Sequence, residues 1–381
     1  MMSSMRISIC LFALLAWFPM GSALASPIPS APSVDADSYV LMDFHSGRVL
    51  AEDDPDKIVE PASITKVMTG YVVFQALESG SIALDDDVLI SERAWRMPGS
   101  RMFIEVGRRV SVEDLLQGMI IQSGNDASVA LAEHVAGSEA AFVDLMNQYA
   151  RRIGMDNTNY ANATGLPDET QQTTAIDTAL LTRALISEFP QYYNWYSERE
   201  FTFNGIRQNN RNTLLFRDDS VDGVKTGHTS SAGYCLVTSA ERNSSRMISV
   251  VMGSSSERAR ADASQSLLNY GFRFFETHRL YSAGESLREE RVWGGSQDYV
   301  ELGVDEDLIV TIPRGSYRDL DPVMNLRGRL DAPLQVGETL GTVQVKLNGE
   351  VIAERNVHAL EDVHAGSLWR RLVDRIKLVF Q

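Results

Sequence analysis

The sequence predicts a mixed α/β domain, a smaller all-β domain after it, and an amphipathic helix at the C-terminus. In the first part of the chain, segments with apolar residues at helical spacing alternate with short strand-like runs. From Leu280 to Leu360 the helical spacing disappears, and apolar and polar residues often alternate, which is typical of strands. The segment 367–381 returns to helical spacing, with one apolar stripe and several basic residues.

Residues 1–25 have the features of a secretory signal peptide. Arg6 is the only charged residue among them, an apolar run from Ile7 to Met20 follows, and Ala23–Ala25 fits a small-residue cleavage site. We therefore divide the chain into four predicted parts. They are a signal peptide at 1–25, an α/β domain at 26–278, an all-β domain at 279–364 and an amphipathic helix at 365–381.

The charge and the cysteines limit the possible partners and compartments. A formal net charge of −16 argues against a nucleic-acid partner, because binding phosphates requires clustered Lys and Arg. Cys10 lies in the predicted signal peptide, so the mature chain keeps only Cys235 and forms no internal disulfide. Cys235 lies in an apolar run and is predicted to be a buried strand residue. An exported protein without disulfides fits a bacterial periplasm or cell surface.

Within the α/β domain the patterns predict the elements in order. Strands are expected at 38–43 and 49–52, and a helix with Val67, Tyr71, Phe74 and Leu77 on one side follows Pro61. A capped helix begins near Ser111, and the turn 121–126 separates it from a helix starting at Ala127. Further helices are predicted at 139–153, 178–188 and 260–277, and strands at 201–203, 224–228, 233–239 and 247–252.

Ser63 and Lys66 form the first candidate pair for catalysis. Three residues apart, they share one face of a helix whose first turn suits Pro61. A serine near a helix N-terminus can attack a carbonyl while backbone N–H groups stabilise the oxyanion that forms. A lysine held against it and stripped of water can lose its proton near neutral pH and act as the base. Taken alone, the same spacing also fits a solvated helix face.

Two further motifs follow in the chain. Ser123-Gly124-Asn125 lies on the turn between two helices, where both side chains can face a cleft, although these residues also suit any turn. Lys225-Thr226-Gly227 lies in an apparent edge strand, whose glycine allows another backbone to approach closely. The trio S-x-x-K, S-x-N and K-T-G, in this order, is the motif set of penicillin-binding proteins and class A β-lactamases.

The wider sequence makes the resemblance more specific. The runs Lys225–Thr229, Phe201–Gln208 and Gly271–Thr277 closely resemble the penicillin-binding protein 5/6 group of D-alanyl-D-alanine carboxypeptidases. The resemblance covers nearly the whole mature chain. It implies a catalytic domain with the serine β-lactamase and penicillin-binding transpeptidase fold, followed by an all-β sandwich and a terminal amphipathic helix.

The resemblance also implies a mechanism and residue roles. Ser63 would be acylated by the penultimate D-Ala carbonyl of a peptidoglycan stem peptide, with Lys66 as the base and release of the terminal D-Ala. Ser123 would relay a proton to the leaving amine, and Asn125 would hold the substrate amide. β-Lactams would acylate and inhibit the enzyme, whose role would lie in cell-wall synthesis and cell-shape regulation.

The substrate carboxylate would bind among residues of the third motif. Lys225, Thr226, Gly227 and His228 would line its pocket, and Lys225 would help to keep Lys66 neutral. The backbone N–H groups of Ser63 and His228 would form the oxyanion hole. Two arginines, Arg211 and Arg260, match positions near the cleft of the family, with a surface role as the alternative. The sequence has no H-E-x-x-H motif or Cys/His cluster, so we predict no metal and no cofactor.

Two alternatives remain at this point. A class A β-lactamase needs a glutamate that activates water, and Glu169 is the only carboxylate near a suitable place, in a setting that does not match the usual pattern. A non-catalytic peptidoglycan-binding scaffold would not need the three intact motifs. One departure from the group is Thr164, where some members carry histidine, which leaves open how that loop affects deacylation.

The tail 367–381 has two interpretations. Its apolar residues recur at steps of three and four, and Arg370, Arg371, Arg375 and Lys377 make it basic. This pattern is typical of a helix that lies in the plane of an anionic membrane surface. The alternative is a helix docked on its own β-domain. We expect the first, and with it an enzyme held peripherally at the periplasmic face of the bacterial inner membrane.

Overall fold

The computed structural model describes residues 28–379. The predicted signal peptide and Phe380, one of the residues of the predicted apolar stripe, lie outside the described residues. No helix within 28–379 combines the length and the apolar character that crossing a bilayer would require.

Helices and strands alternate through the first domain, as the patterns predict. Its helices are α1 Thr65–Glu78, α2 Glu92–Trp95, α3 Val112–Ile121, α4 Asn125–Ala136, α5 Glu139–Ile153, α6 Ala175–Glu188, α7 Pro190–Tyr193 and α8 Glu257–Phe274. Its strands are β1 Ser38–Asp43, β2 Val49–Asp53, β3 Asp87–Leu89, β4 Arg109–Ser111, β5 Glu200–Phe203, β6 Ile206–Asn209, β7 Val221–Thr229, β8 Gly233–Arg242 and β9 Ser245–Ser254. Short 3-10 turns cover Ala62–Ile64, Asn194–Ser197 and Thr213–Phe216.

An antiparallel five-stranded sheet in the order β2-β1-β9-β8-β7 organises this domain. Its central strands are buried on both faces, so alternate residues of one such strand belong to different cores. Val40 and Met42 join the core on the side of α1, whereas Tyr39 and Leu41 join the core under α8. The strand with the K-T-G motif, β7, is at an edge of the sheet, as predicted.

Helix α1 is buried on nearly all sides. The predicted stripe of Val67, Tyr71 and Phe74 is buried, but so are Met68 and Val72 on other faces. The helix packs against α4, α5 and α6 and touches β7. A helix that is apolar all round belongs in the interior, so Lys66 enters the core of the domain with it.

Several helices begin earlier than predicted because side-chain caps extend them. Thr174 Oγ1 accepts a hydrogen bond from Asp177 N, so α6 starts at Ala175 rather than at Thr178. Ser256 Oγ accepts from Ala259 N in the same way, so α8 starts at Glu257 rather than at Arg260. Each cap satisfies an N–H group that the first turn of a helix leaves unpaired.

The second domain is all-β, as predicted. Its strands are β10 Phe275–Tyr281, β11 Ser286–Trp293, β12 Tyr299–Gly303, β13 Leu308–Pro313, β14 Leu320–Leu326, β15 Leu330–Asp331, β16 Thr339–Leu347 and β17 Glu350–Ala359. A six-stranded sheet in the order β14-β16-β17-β12-β11-β15 and the pair β10-β13 enclose its own apolar core. The predicted boundary between residues 278 and 279 falls inside β10, because α8 ends at Phe274 and the chain enters the strand without a linker.

The two domains meet through buried polar groups. The carboxylate of Asp43, which is fully buried, accepts hydrogen bonds from Ser46 Oγ and from Thr277 Oγ1, each at 2.8 Å. The hydroxyls of Ser46 and Thr311 lie 2.7 Å apart, and Arg48 donates to the Thr311 carbonyl at 2.7 Å. The charge-assisted contacts among these groups fix the β1–β2 hairpin on the second domain.

Candidate active site

Ser63 lies in the short 3-10 turn that precedes α1, and Lys66 lies in the first turn of α1 itself. Lys66 Nζ is 3.1 Å from Ser63 Oγ. It also donates to Asn125 Oδ1 at 2.7 Å and to the carbonyl oxygen of Thr164 at 2.6 Å. Three oxygen partners therefore hold a single amine, and the structure brings together the first and second sequence motifs as predicted.

The electrostatic setting of Lys66 favours its neutral form. Its side chain is only 1% exposed. Burial, and after it the positive charge of Arg211, lower the pKa of Lys66 from 10.5 to about 7, while the carboxylate of Asp126 opposes the shift. A lysine in this state exchanges its proton near neutral pH, which is the requirement for a general base.

The turn at 123–126 is hydrogen-bonded to the loop 98–103, which precedes β4 and α3 in the chain. Asn125 Nδ2 donates to the Pro98 carbonyl and Asn125 N to the Ser100 carbonyl, both at 2.7 Å. The buried carboxylate of Asp126 accepts from the N–H groups of Met102 and Phe103 at 3.0 Å. These bonds leave Asn125 Oδ1 pointing at Lys66.

Ser123 occupies the same turn with a left-handed backbone, at φ 67°. Its side chain is 2% exposed, and its hydroxyl has no hydrogen-bond partner within the described part of the chain. A buried hydroxyl without a partner is costly unless a ligand completes it. Ser123 lines the same cleft as Ser63.

Strand β7 brings the third motif against the turn of Ser63. A Cβ on Gly227 would lie 3.2 Å from the Pro61 carbonyl oxygen and from Ala62 Cβ, so the close approach predicted for this glycine is present. Lys225 is 3% exposed and donates to the Thr226 carbonyl at 3.3 Å. Burial, and then the charges of Lys66, Arg211 and Arg260, hold its pKa well below the ordinary lysine value.

The two arginines differ in setting, but both line the cleft. Arg260 is buried, donates to the Gly227 carbonyl at 3.1 Å, and lies 5.5 Å from the centre of the Tyr234 ring. Arg211 is exposed and donates through Nε to the Gln122 carbonyl at 3.2 Å. Both Arg211 and Arg260 therefore lie at the cleft, where the sequence had left a surface role as the alternative. After burial, Arg211 rather than the predicted Lys225 is the cation that lowers the pKa of Lys66.

The cleft has a volume of about 270 Å³ and is polar and cationic. It is lined by Ser63, Ser100, Ser123, Arg211, Thr226, Gly227, His228, Tyr234, Glu257 and Arg260. His228 is exposed at its mouth, with its ring centre 4.1 Å from that of Tyr234. Such a lining attracts an anionic group to the side of Ser63.

Sequence reasoning missed the contribution of the loop 162–165. Asn162 Oδ1 accepts hydrogen bonds from Thr164 N, Thr164 Oγ1 and Gly165 N, which bends the backbone so that the Thr164 carbonyl faces Lys66. Gly165, at φ 81°, passes so close to the turn of Ser63 that a Cβ would lie 1.8 Å from the Ala62 carbonyl oxygen. The Asn-x-x-Gly spacing was the available signal. Tyr234, Ser100 and Glu257 carried no signal in the sequence.

Two other candidates take no part in this cleft. Cys235 is buried in β8, as predicted, and burial raises the pKa of its thiol to about 11. Glu169 is exposed, and its carboxylate makes no hydrogen bond or ion pair within residues 28–379. Over the same residues, no three His, Cys, Asp or Glu side chains are grouped closely enough to hold a metal ion.

A serine hydroxyl in contact with a buried lysine amine, beside cations that can bind an anionic substrate group, defines a serine enzyme whose base is lysine rather than histidine. The comparisons with known proteins make the class specific. Residues 25–256 match the family described as D-alanyl-D-alanine carboxypeptidase, and residues 275–365 match the penicillin-binding protein 5 C-terminal domain.

Individual relatives agree with both matches. The chain is 44% identical to D-alanyl-D-alanine carboxypeptidase DacA of Escherichia coli (strain K12) over 93% of this chain and 90% of that protein. Penicillin-binding protein 5 from Haemophilus influenzae superposes with a TM-score of 0.85 at 43% identity, covering 88% of this chain and 99% of that chain. The ampicillin-bound penicillin-binding protein D2 from Listeria monocytogenes gives a TM-score of 0.60 at 30% identity, covering 64% and 100% of the two chains.

The chain therefore belongs to the D-alanyl-D-alanine carboxypeptidase family and is a serine peptidase of the penicillin-binding protein 5/6 group. Both domains take part in these similarities, which a free-standing β-lactamase would not explain. The carboxypeptidase interpretation is thus supported over the β-lactamase and the non-catalytic scaffold.

Proposed function

We propose that this enzyme removes the terminal D-Ala of peptidoglycan stem peptides through an acyl-enzyme on Ser63. The observation that carries the proposal is the 3.1 Å contact between Ser63 Oγ and an amine whose pKa is lowered to about 7. Neutral Lys66 takes the hydroxyl proton while Ser63 Oγ forms a bond to the penultimate D-Ala carbonyl carbon. The C–N bond to the terminal D-Ala then breaks, and the leaving amine receives a proton.

Ser123 is suited to deliver that proton. Its buried hydroxyl lines the cleft and has no hydrogen-bond partner in the described part of the chain, so it is available to the leaving amine. The backbone N–H groups of Ser63 and His228 supply the oxyanion hole in this proposal. A water molecule then adds to the ester carbonyl with Lys66 again as the base, which frees Ser63 and the shortened peptide.

Cations select the substrate end. Arg260, the Thr226 hydroxyl and His228 line the cleft on the β7 side, and Arg211 lines it from the side of Gln122. The free carboxylate of a terminal D-Ala matches this lining in charge, and Lys225 adds a donor buried beneath it. In this proposal Asn125 also holds the substrate amide, although in the free enzyme its Oδ1 accepts from Lys66 and its Nδ2 donates to the Pro98 carbonyl. The same cleft would accept β-lactams, which present a reactive carbonyl and a carboxylate.

Intact-protein mass spectrometry tests the proposal. Incubation with benzylpenicillin should add one equivalent covalently, on the proteolytic fragment that contains Ser63. Incubation with a peptide ending in D-Ala-D-Ala should release free D-Ala. An adduct located on another residue, or no release of D-Ala, would contradict the assignment of Ser63.

Gly165→Ala is expected to lower D-Ala release by about 100-fold, because displacing a reacting group by about 1 Å has effects of this size. The new Cβ would lie 1.8 Å from the Ala62 carbonyl oxygen and 3.0 Å from Ser63 N, so the turn of Ser63 must move. The measurement is the rate of D-Ala release, together with the free energy of unfolding in urea.

Gly154→Ala is the matched control. Gly154 has a similar φ of 87°, but a Cβ there meets no atom within 4 Å. Both substitutions should lose about 1 to 2 kcal/mol of stability from the left-handed backbone. Gly165→Ala should lose more than that, because its Cβ meets backbone atoms, and it alone should lose activity. Equal activity of the two variants would show that the close contact of Gly165 does not position Ser63.

We further propose that the enzyme is exported and held at the periplasmic face of the bacterial inner membrane, where it acts in cell-wall synthesis and cell-shape regulation. Helix α9, Leu368–Val379, supports this proposal. Five of its apolar side chains are half to mostly exposed: Leu368, Trp369, Leu372, Ile376 and Val379. Exposed apolar side chains beside Arg and Lys are typical of a helix that lies in an anionic membrane surface.

A chain that ends at Gly366 should lose binding to vesicles of phosphatidylglycerol while keeping full activity on a soluble peptide. The end point matters, because Val363 is fully buried in the core of the β-domain and Gly366 N donates to the Gly294 carbonyl. The removed apolar side chains contribute about 1 kcal/mol each at the interface. Vesicle sedimentation measures the loss, and raising the salt concentration should weaken binding of the full chain.

Point substitutions provide a control for this truncation. Ile376→Glu should release the full-length chain from vesicles, whereas Val351→Glu, at a similarly exposed apolar residue of β17, should not. Sedimentation of the truncated chain with vesicles, or equal binding of both variants, would count against α9 as the membrane-binding element.

A further inference from the structure

Helix α9 is docked on the β-domain through its polar face. Asp374 is 6% exposed, and its carboxylate accepts hydrogen bonds from Gly294 N at 2.8 Å and from the guanidinium of Arg291 at 3.2 Å. Lys377 Nζ lies 4.0 Å from the same carboxylate. A buried acidic side chain of the helix thus binds a backbone N–H group and a cation of the β-domain, which makes the docking specific.

Gly294 belongs to a loop of the β-domain, residues 294–298, which we call the docking loop. The beginning of α9 also contacts this loop. Arg370 donates to the Ser296 carbonyl at 2.8 Å and pairs with Asp298 at 2.6 Å. Just before the helix, Gly366 N donates to the Gly294 carbonyl at 2.8 Å. Contacts at the start and in the middle of the helix therefore fix both its position and its rotation about its own axis.

The five exposed apolar side chains lie on the opposite side, whereas Val373 and Leu378 are half-buried and Leu378 faces the β-domain. At about 100° per residue, Leu368, Leu372 and Ile376 point roughly away from the direction of Asp374. Arg371 and Arg375 lie between the two faces and line a cleft of about 240 Å³ between the helix and the β-domain. The outward surface is thus an apolar strip with guanidinium groups along one side, a charge pattern that fits a bilayer with anionic headgroups.

This arrangement has a consequence for how the helix reaches a membrane. A helix docked by its apolar face would have to leave the protein before it could enter lipid. Here the apolar strip already faces outward, so insertion requires no contact with the β-domain to break. Undocking would expose the Asp374–Arg291 pair and uncover the Gly294 N–H without any gain in buried apolar area.

We propose that α9 binds the bilayer while it remains docked on the β-domain, and that Asp374 is the positioning residue that sets which face of the helix meets the lipid. The inference rests on the proposed membrane function and makes it more specific. The lipid-binding surface is then part of a folded domain, so the docking loop is held near the headgroups and the enzyme takes one orientation on the membrane.

Hydrogen exchange on the wild-type chain tests whether the helix stays docked. The amide of Gly294 donates to Asp374, so the protection of this amide from exchange reports directly whether α9 is docked. Exchange of peptides covering residues 291–298 should be the same, within about twofold, in solution and on phosphatidylglycerol vesicles. Exchange that becomes about tenfold faster on vesicles would show that the helix leaves the domain, and would overturn the inference while leaving membrane binding intact.

Two variants test the role of Asp374. Asp374→Ala should still bind vesicles, because the apolar strip is unchanged, but the Gly294 amide should exchange at least about tenfold faster. Asp331→Ala is the matched control, since Asp331 lines the same cleft but its carboxylate pairs with Arg329 of the β-domain and not with α9. Circular dichroism should show both variants folded.

Orientation supplies a readout that a merely structural role would not change. A single Glu169→Cys substitution places a labelling site on an exposed loop of the catalytic domain, while Cys235 is buried. Energy transfer from this label to headgroup-labelled lipid should give one narrow distance distribution for the wild type and Asp331→Ala, and a broad one for Asp374→Ala. Identical distributions in all three would overturn the positioning role.

The remaining outcomes are also distinguishable. No binding of the full-length chain to anionic vesicles would contradict both the membrane function and this inference. Self-association in sedimentation velocity that buries the strip, abolished by Ile376→Glu, would assign the strip to a second copy of the chain and overturn the inference.

Discussion

Ser63→Ala should reduce D-Ala release by about 10⁴-fold or more and abolish the covalent penicillin adduct. The hydroxyl is the only nucleophile in contact with Lys66 among the described residues, and an acyl-enzyme route offers no substitute for it. Folding should be little affected. The substitution removes one hydrogen bond with Lys66 at a half-buried position, a change worth about 1 kcal/mol. D-Ala release, intact mass after penicillin treatment and urea unfolding measure the three effects.

Ser138→Ala is a suitable control for this prediction. Ser138 caps α5, and its Oγ accepts a hydrogen bond from Ala141 N at 3.2 Å, away from the cleft. Loss of such a cap costs about 1 kcal/mol of stability, so this variant should be less stable and fully active. A Ser63→Ala enzyme with near wild-type release of D-Ala would exclude Ser63 as the nucleophile.

The unpaired hydroxyl of Ser123 and the unusual charge of the cleft have the same explanation in this mechanism. Burial is the first cause that lowers the pKa values of Lys66 and Lys225, and repulsion from nearby cations is the second. A substrate carboxylate would relieve that repulsion, and a leaving amine would complete the Ser123 hydroxyl. A ligand that carries both groups would therefore satisfy both features at once.

The sequence predicted elements well where local signals mark both ends. Helix α5 was predicted and observed at Glu139–Ile153, because Ser138 caps its start and Gly154, with φ 87°, ends it. Helix α1 shows the limit of the same approach. Its periodic stripe was found, but its burial on other faces follows from the sheet and the helices that enclose it, which a local pattern does not reveal.

The active site likewise contains groups that the sequence predicts and one that it does not. Ser63, Lys66, Ser123, Asn125 and Lys225 were selected as motif side chains, and the structure brings them together. The Thr164 carbonyl was not selected, because a backbone oxygen carries no residue identity and it lies 98 positions from Lys66 in the chain. Residue 164 was singled out for its side chain, whereas its contact with Lys66 is made through the main chain.

For the tail, the structure bears on only one of the two sequence interpretations. Docking on the β-domain and binding to a membrane were treated as alternatives, because both need an amphipathic helix. Docking is observed, but it uses Asp374 and Arg370 rather than the apolar stripe. An aspartate in a basic helix was the available signal, since an acidic residue there has no role in attraction to anionic lipid.

The rate of acylation should fall by about tenfold for each pH unit below the pKa of Lys66, which is lowered to about 7. Below that pH the amine carries its proton and has no lone pair to accept the one from Ser63. Above it the neutral base predominates and the rate levels off. The fall in rate below that pKa is the acid limb of the pH profile. Time-resolved mass spectrometry of acylation by penicillin, from about pH 5 to about pH 9, measures this limb.

Two variants decide whether Lys66 causes the limb. Lys66→Met should slow acylation by at least about 1000-fold and remove the limb, because no other base contacts Ser63 among residues 28–379. Arg211→Gln should move the limb to higher pH. The positive charge of Arg211 lowers the pKa of Lys66, so its removal lets Lys66 hold its proton to a higher pH. An unchanged limb in an active Lys66→Met enzyme would assign the base to another group, and a limb that moved to lower pH in Arg211→Gln would contradict the electrostatic origin of the shift.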